Sequence, residues 1–185
     1  MADFELSFVL LSALTLASIY GLLAVGVSII WSSLGMLNMA HGLTFTVAGY
    51  GAVLAATHLS EHGAVVLLAG MGSGMLCGMF ISAVAFIPLH DKPNFVVRSL
   101  IATLALSLLG TQAMLWLFGP SAKSLPPLFG SEVISVLGMK LLPDKLGSIV
   151  VSLVLMLATL VWVKRSRTGL EIRAMMQNPE GAALV

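Results

Sequence analysis

The chain has 185 residues, 58% hydrophobic and only 9% charged, with a formal net charge of +1 and a mean hydropathy of +1.04. A soluble domain carries about 25% charged residues, so this composition excludes an ordinary water-soluble globule, and the small net charge gives no footprint for a nucleic acid. A single cysteine, Cys77, excludes an internal disulfide and a cysteine metal site; no cofactor and no metal are expected.

Several apolar runs reach the roughly 20 residues that a bilayer-crossing helix needs. The class is therefore an all-α polytopic membrane protein, with five predicted spans. The first covers residues 6–30 and ends at the polar Trp31-Ser-Ser33. The start, Met-Ala-Asp-Phe-Glu, is acidic where a signal peptide is basic, so this run is read as a retained span. The second covers residues 37–57 and is interrupted by Asn38, His41, Gly42, Thr44, Thr46 and Gly49. The third covers 64–87 and is closed by Pro88. The fourth covers 99–118, closed by Gly119-Pro120, and the fifth 146–163, closed by Lys164-Arg165. Between the last two, an alternating run from Val133 to Leu142 around Gly138 predicts a short β-hairpin.

Basic residues in the short loops set the orientation. One side collects Lys92, Arg98, Lys164, Arg165, Arg167 and Arg173; the other collects Lys123, Lys140 and Lys145. The first group is placed in the cytoplasm and the N-terminus outside. Arg98 opens the fourth span where it can snorkel to the inner headgroups.

Gly70, Gly74 and Gly78 recur every fourth residue in the third span and predict close helix packing. Gly35, Gly42 and Gly49 recur every seventh through the second, where they accompany polar residues, so packing and a distorted helix beside a cavity both stay open. Asn38, His41, Gly42 and Thr44 make the most polar point inside a span. Such groups face the protein interior or a water-filled path, and broken helices at membrane depth expose backbone groups to substrate. The segment 38–50 is accordingly the candidate pathway lining. The competing reading of His41 is a residue at the cytoplasmic interface that only orders a turn. Thr103 and Ser107, four apart on the fourth span, either bond their own helix carbonyls or face the same path.

Rival functions make different demands. An intramembrane hydrolase needs a serine and an orienting group within reach of His41; there is no Gly-x-Ser-x-Gly, no His-Glu-x-x-His and no carboxylate pair within the spans. A secondary transporter or channel needs ionisable groups in the spans, and only His41 approaches that. No phosphate-binding loop is present, so ATP hydrolysis by this chain is not expected. Asn178-Pro179-Glu180 reads as a helix start. Too few residues follow it for a stable helix, so the chain is expected to be the N-terminal part of a longer protein.

Three segments together resemble a known family. Leu37-Asn-Met-Ala-His-Gly42 with Gly49-Tyr50, then Ser99-Leu-Ile-Ala-Thr-Leu-Ala-Leu-Ser107, then Arg167-Thr-Gly-Leu-Glu-Ile-Arg-Ala-Met-Met-Gln-Asn-Pro-Glu-Gly-Ala-Ala-Leu184 are similar, in order and spacing, to branched-chain amino acid ABC transporter permeases of the LivH type. Met39 stands for the usual Phe, Ala105 for a Gly and Gly181 for an Ala. The resemblance implies that residues 1–185 are the N-terminal part of an ABC importer permease domain, with membrane spans over 6–163 and a cytoplasmic coupling segment over 164–185. It implies a second permease subunit, two cytoplasmic ATPase subunits, a periplasmic substrate-binding protein and a bacterial inner membrane. Asn38, His41, Gly42, Thr44, Thr103 and Ser107 would then belong to the substrate pathway. Arg167, Thr168, Gly169, Arg173, Gln177, Asn178, Pro179 and Glu180 would couple to the ATPases, with Leu170 and Met175 as an apolar contact and Arg167 and Arg173 as its polar rim. Permeases for urea and short amides share the pattern and stay open as an alternative.

Overall fold

The computed structural model describes residues 2–127, 134–136, 139–141 and 143–177. The helices are α1 (Ala2–Leu34), α2 (His41–His58), α3 (Gly63–Ile81), α4 (Ile87–Leu89), α5 (Phe95–Phe118), α6 (Pro143–Arg165) and α7 (Arg167–Gln177). A π-helical turn, Ser82–Phe86, joins α3 to α4. Strands β1 (Ile134–Val136) and β2 (Met139–Leu141) pair antiparallel, with Ser135 opposite Lys140; this is the predicted hairpin.

The protein is a polytopic helical membrane protein. Among the described residues four helical stretches are long and apolar enough to cross a bilayer: Phe8–Ser33, Gly63–Leu89, Phe95–Phe118 and Pro143–Arg165. They correspond to four of the five predicted spans, each running longer than the sequence suggests. Trp31-Ser-Ser33 does not stop α1, because the Ser33 hydroxyl donates to the Ile29 carbonyl at 2.7 Å and so adds no polar group that needs water. Gly35 ends the helix instead, at φ +63°, with its N–H on the Trp31 carbonyl, the usual left-handed helix stop. Pro88 does not close the third span either. The π turn precedes it, and the Ile87 N–H bonds the Ser82 carbonyl, a local rewinding that accommodates a residue lacking its own N–H. The remaining predicted span, the second, is α2, 18 residues long, which begins at His41 rather than at residue 37.

The packing is that of a membrane bundle. Buried positions are dominated by small side chains, among them Ala40, Ala52, Ala55, Ala56, Ala85 and Ser99, whereas Leu68, Leu76, Leu109 and Trp116 (84% exposed) point outward. Lipid offers apolar residues no incentive to hide, so small residues that let backbones approach take the interior.

Two compact units divide the chain. One holds α1, the hairpin, α6 and α7. Here α1 and α6 run parallel: the Lys145 ammonium donates to the Ser12 hydroxyl at 2.6 Å and lies 3.9 Å above the Phe8 ring. Farther along, Gly21 faces Met156. The other unit holds α2 to α5. Here α2 and α3 form an antiparallel pair on the predicted glycine face. A Cβ at Gly70 would lie 3.3 Å from Ala48 O and Ala52 Cβ, and one at Gly74 would lie 3.1 Å from Ala48 Cβ. Gly78 meets nothing within 4 Å and lies beyond the contact. Gly42 and Gly49 likewise meet nothing within 4 Å among the described residues.

Replacing Gly70 by leucine should destabilise the protein by about 1–3 kcal/mol through overpacking. Leucine at Gly72, where a Cβ meets nothing within 4 Å, should change stability by less than about 0.5 kcal/mol. Denaturant unfolding in detergent micelles, with both variants side by side, checks the contrast.

Candidate functional site

The polar segment before α2 is not helical. The Asn38 carboxamide oxygen accepts the Ala40 N–H at 3.0 Å, and the His41 N–H reaches the Asn38 carbonyl at 3.3 Å. Asn38 thus builds a side-chain-closed turn, which asparagine does readily. The next bond is long-range: the Met39 N–H donates to the Thr103 hydroxyl at 3.2 Å, and that hydroxyl donates to the Ser99 carbonyl at 2.8 Å. Thr103, Ser99 and Ala40 are fully buried and Met36 is 1% exposed.

This bond fixes how deep the turn sits. Thr103 lies eight residues inside α5, about 12 Å along its axis. Beyond it α2 and α5 climb together: Leu43 packs against Gly110 and Tyr50 stacks on Phe118, 4.2 Å between ring centroids. Gly110 has no room for a Cβ beside the Leu43 side chain. The opening of α2 is therefore carried well inside the length of α5, with Met36, Ala40 and Leu43 as its buried residues, the kind of protein contact that irregular backbone at membrane depth requires.

The structure brings Asn38, His41, Thr44 and Thr103 together, with different exposures. The Thr44 hydroxyl donates to the Ala40 carbonyl at 3.2 Å. His41 and Thr44 are half-buried and Gly42 is exposed. Thr103 faces no open path, because its hydroxyl is engaged both as donor and as acceptor. Ser107 is half-buried one turn farther along and is not part of the bond to the turn.

Open space lies higher on α2, in a groove of about 320 Å³ lined by Phe45, Thr46, Gly49, Tyr50 and Val53, with Lys123 and Leu125 from the chain after α5. Four of these residues fall in the predicted lining segment 38–50. Val53, Lys123 and Leu125 escape the sequence reading; the turn away from the helix at Gly119-Pro120 is the local signal that the chain there is free to fold back.

The other candidate region is the corner between α6 and α7. Ser166 breaks the helix and caps α7: its hydroxyl accepts the Gly169 N–H at 2.9 Å, satisfying a first-turn donor. The Thr168 hydroxyl lies 3.2 Å from it. Gly169 is buried, and the Val163 backbone leaves no room for a Cβ. Arg173 is not the outward rim expected of it. Its guanidinium turns back, Nη2 donating to the Lys164 carbonyl at 2.9 Å and Nε to the Gly169 carbonyl at 3.3 Å, because the end of α6 leaves carbonyls unpaired. Arg167, Thr168, Leu170 and Gln177 are exposed and Met175 is half-buried. Leu170 and Met175 are about 140° apart around α7 and share no face. Asn178, Pro179 and Glu180 lie outside the described residues.

The family described as branched-chain amino acid transport system, permease component, matches residues 9–185. The chain belongs to this permease family. The permease is 26% identical to the high-affinity branched-chain amino acid transport system permease protein BraD of Pseudomonas aeruginosa, over 89% of this chain and 57% of BraD. It is 23% identical to the corresponding permease protein LivH of Escherichia coli K12, over 94% of this chain and 60% of LivH. The chain thus spans somewhat over half the length of these relatives. No solved structure matches it.

In the permease, Thr103→Val should cost about 1 kcal/mol, since it leaves the part-buried Met39 N–H without its partner. Thr103→Ser, which keeps the hydroxyl, should lose about 1 kcal/mol for its methyl group. Unfolding in detergent and hydrogen exchange at the Met39 amide measure both. Arg173→Met should loosen the corner, seen as a broader distance distribution between spin labels on α6 and α7.

Proposed function

We propose that this permease is the N-terminal part of a transmembrane subunit of an ABC importer for branched-chain or related amino acids in a bacterial inner membrane. In this reading residues 6–163 carry the spans, and residues 164–185 face the cytoplasm as the coupling segment. A second permease subunit stands beside it, two ATPase subunits dock beneath, and a periplasmic binding protein delivers the substrate. Transport, not catalysis, is the chain's task.

The observation that carries the coupling assignment is the stiff α6–α7 corner. A segment that transmits the closure of an ATPase pair has to resist bending where it meets the span. The Ser166 cap, the Gly169 contact and the Arg173 bonds to the Lys164 and Gly169 carbonyls give the corner that resistance. A push on the exposed side of α7, at Arg167, Thr168 and Leu170, then reaches the end of α6 without dissipating in a loose loop. The basic residues Lys164, Arg165, Arg167 and Arg173 gathered there support the cytoplasmic side. The start of α2, carried inside the length of α5, supports a pathway near Asn38, His41, Gly42, Thr44, Thr103 and Ser107. In this part of the protein, Asn38 and Thr103 hold the backbone, and His41, Gly42 and Thr44 are the more accessible.

Deleting residues 177–180 from the full-length complex should abolish both co-purification of the ATPase subunits and ATP-driven leucine uptake, with the permease still in the membrane. ATPase subunits retained after the deletion, or a cysteine at Gln177 labelled from the periplasmic side of sealed cells, would overturn the coupling assignment.

A further inference from the structure

The groove on α2 has features that helix packing leaves unexplained. Phe45, Gly49 and Val53 follow one another at four-residue spacing and therefore share a face. The glycine leaves a gap between two apolar side chains, and a Cβ placed there meets nothing within 4 Å. Among the described residues no neighbouring helix fills the gap, because α5 ends at Phe118, level with Tyr50. The Tyr50 ring is held by its stack on Phe118, with 28° between the planes, so one wall is set before anything binds. The far side is closed by Lys123 and Leu125. Among the described residues the lining contains one cation, Lys123, and no carboxylate, which suits an anionic group on whatever enters it. Its volume of about 320 Å³ is at the small end of ligand sites, which run from about 300 to 1,000 Å³.

The geometry points to a binding station for a small branched aliphatic molecule bearing a carboxylate, with the aliphatic part in the Gly49 gap between Phe45 and Val53 and the carboxylate on the Lys123 ammonium. The inference rests on the importer reading above and names a place on its route. An aliphatic amino acid presents this chemistry, and so does a fatty acid of the surrounding bilayer; the amino acid is the occupant assigned here, since a groove of about 320 Å³ matches a small molecule as a whole and only part of a long acyl chain.

The test uses membranes containing the complete importer and two diazirine probes, photoreactive leucine and a photoreactive fatty acid. The leucine probe should label the peptide holding residues 45–53. Excess isoleucine and the substitution Lys123→Gln should each reduce that labelling about tenfold, the worth of one charge-assisted contact. Lys123→Arg should preserve it. Gly49→Leu should remove it by filling the gap, while Gly49→Ala tests the same point with less risk to assembly. Labelling indifferent to isoleucine and to Lys123→Gln, or labelling by the fatty acid probe alone, would overturn the station. Uptake measured on the same membranes separates the two levels: ATP-driven uptake without groove labelling rejects the station and leaves the importer standing. Competable labelling without ATP dependence rejects the importer and retains a site for the amino acid.

Discussion

Inside a bilayer a backbone N–H with no partner costs several kcal/mol, and in this protein the condition is most demanding at the turn before α2. The turn lies about 12 Å inside the length of α5. Asn38 supplies one acceptor from its own side chain, and the Thr103 hydroxyl supplies the other from across the helix interface. With those two bonds in place α2 can start deep, and its register against α5 follows: Leu43 at Gly110, Tyr50 at Phe118. That register leaves the upper part of α2, among the described residues, without a helical neighbour on one face, where the groove lies. A single hydroxyl thus links the depth of a turn to the existence of a cavity two helical turns and more away from it.

The same economy of polar groups shapes the α6–α7 corner. The chain must turn there without stranding the carbonyls that end α6, and Arg173 meets the Lys164 carbonyl with a charge-assisted bond from the next helix while also bonding the Gly169 carbonyl of its own first turn. A basic residue near a membrane surface is ordinarily read as a headgroup anchor or a docking charge. Here its direction is inward, and its contribution is to the angle between two helices. The outward face of α7 is left to Arg167, Thr168 and Leu170.

Much of this architecture was legible in the residues. Long apolar runs marked α1, α3, α5 and α6, since length and hydropathy are properties of a segment alone. The alternation around Gly138 marked the hairpin, and the spacing of Gly70 and Gly74 marked the face that α2 covers. Polarity marked Asn38, His41 and Thr44 as unusual for a span. What the residues concealed depends on partners distant in the chain. The start of α2 at His41 is a consequence of Thr103. The part Lys123 plays in the groove arises from a segment that returns after α5 has ended. The direction of Arg173 is set by the Lys164 carbonyl on the preceding helix and the Gly169 carbonyl on its own. Pattern reports that a polar group is present; only the fold says which way it faces.

The length of α1 has a consequence for the medium in which the protein works. Its apolar stretch, Phe8–Ser33, has 26 residues and measures about 39 Å, against a hydrocarbon slab of about 30 Å. The surplus has to be taken up by inclination of the rod or by local swelling of the lipid, each at a fraction of a kcal/mol per Å. Because Lys145 fastens the head of α1 to the head of α6, any change of inclination is shared between the two. A thicker bilayer stands both rods more upright and a thinner one lays them down, so lipid composition becomes a mechanical input to the very helix that carries the α7 corner.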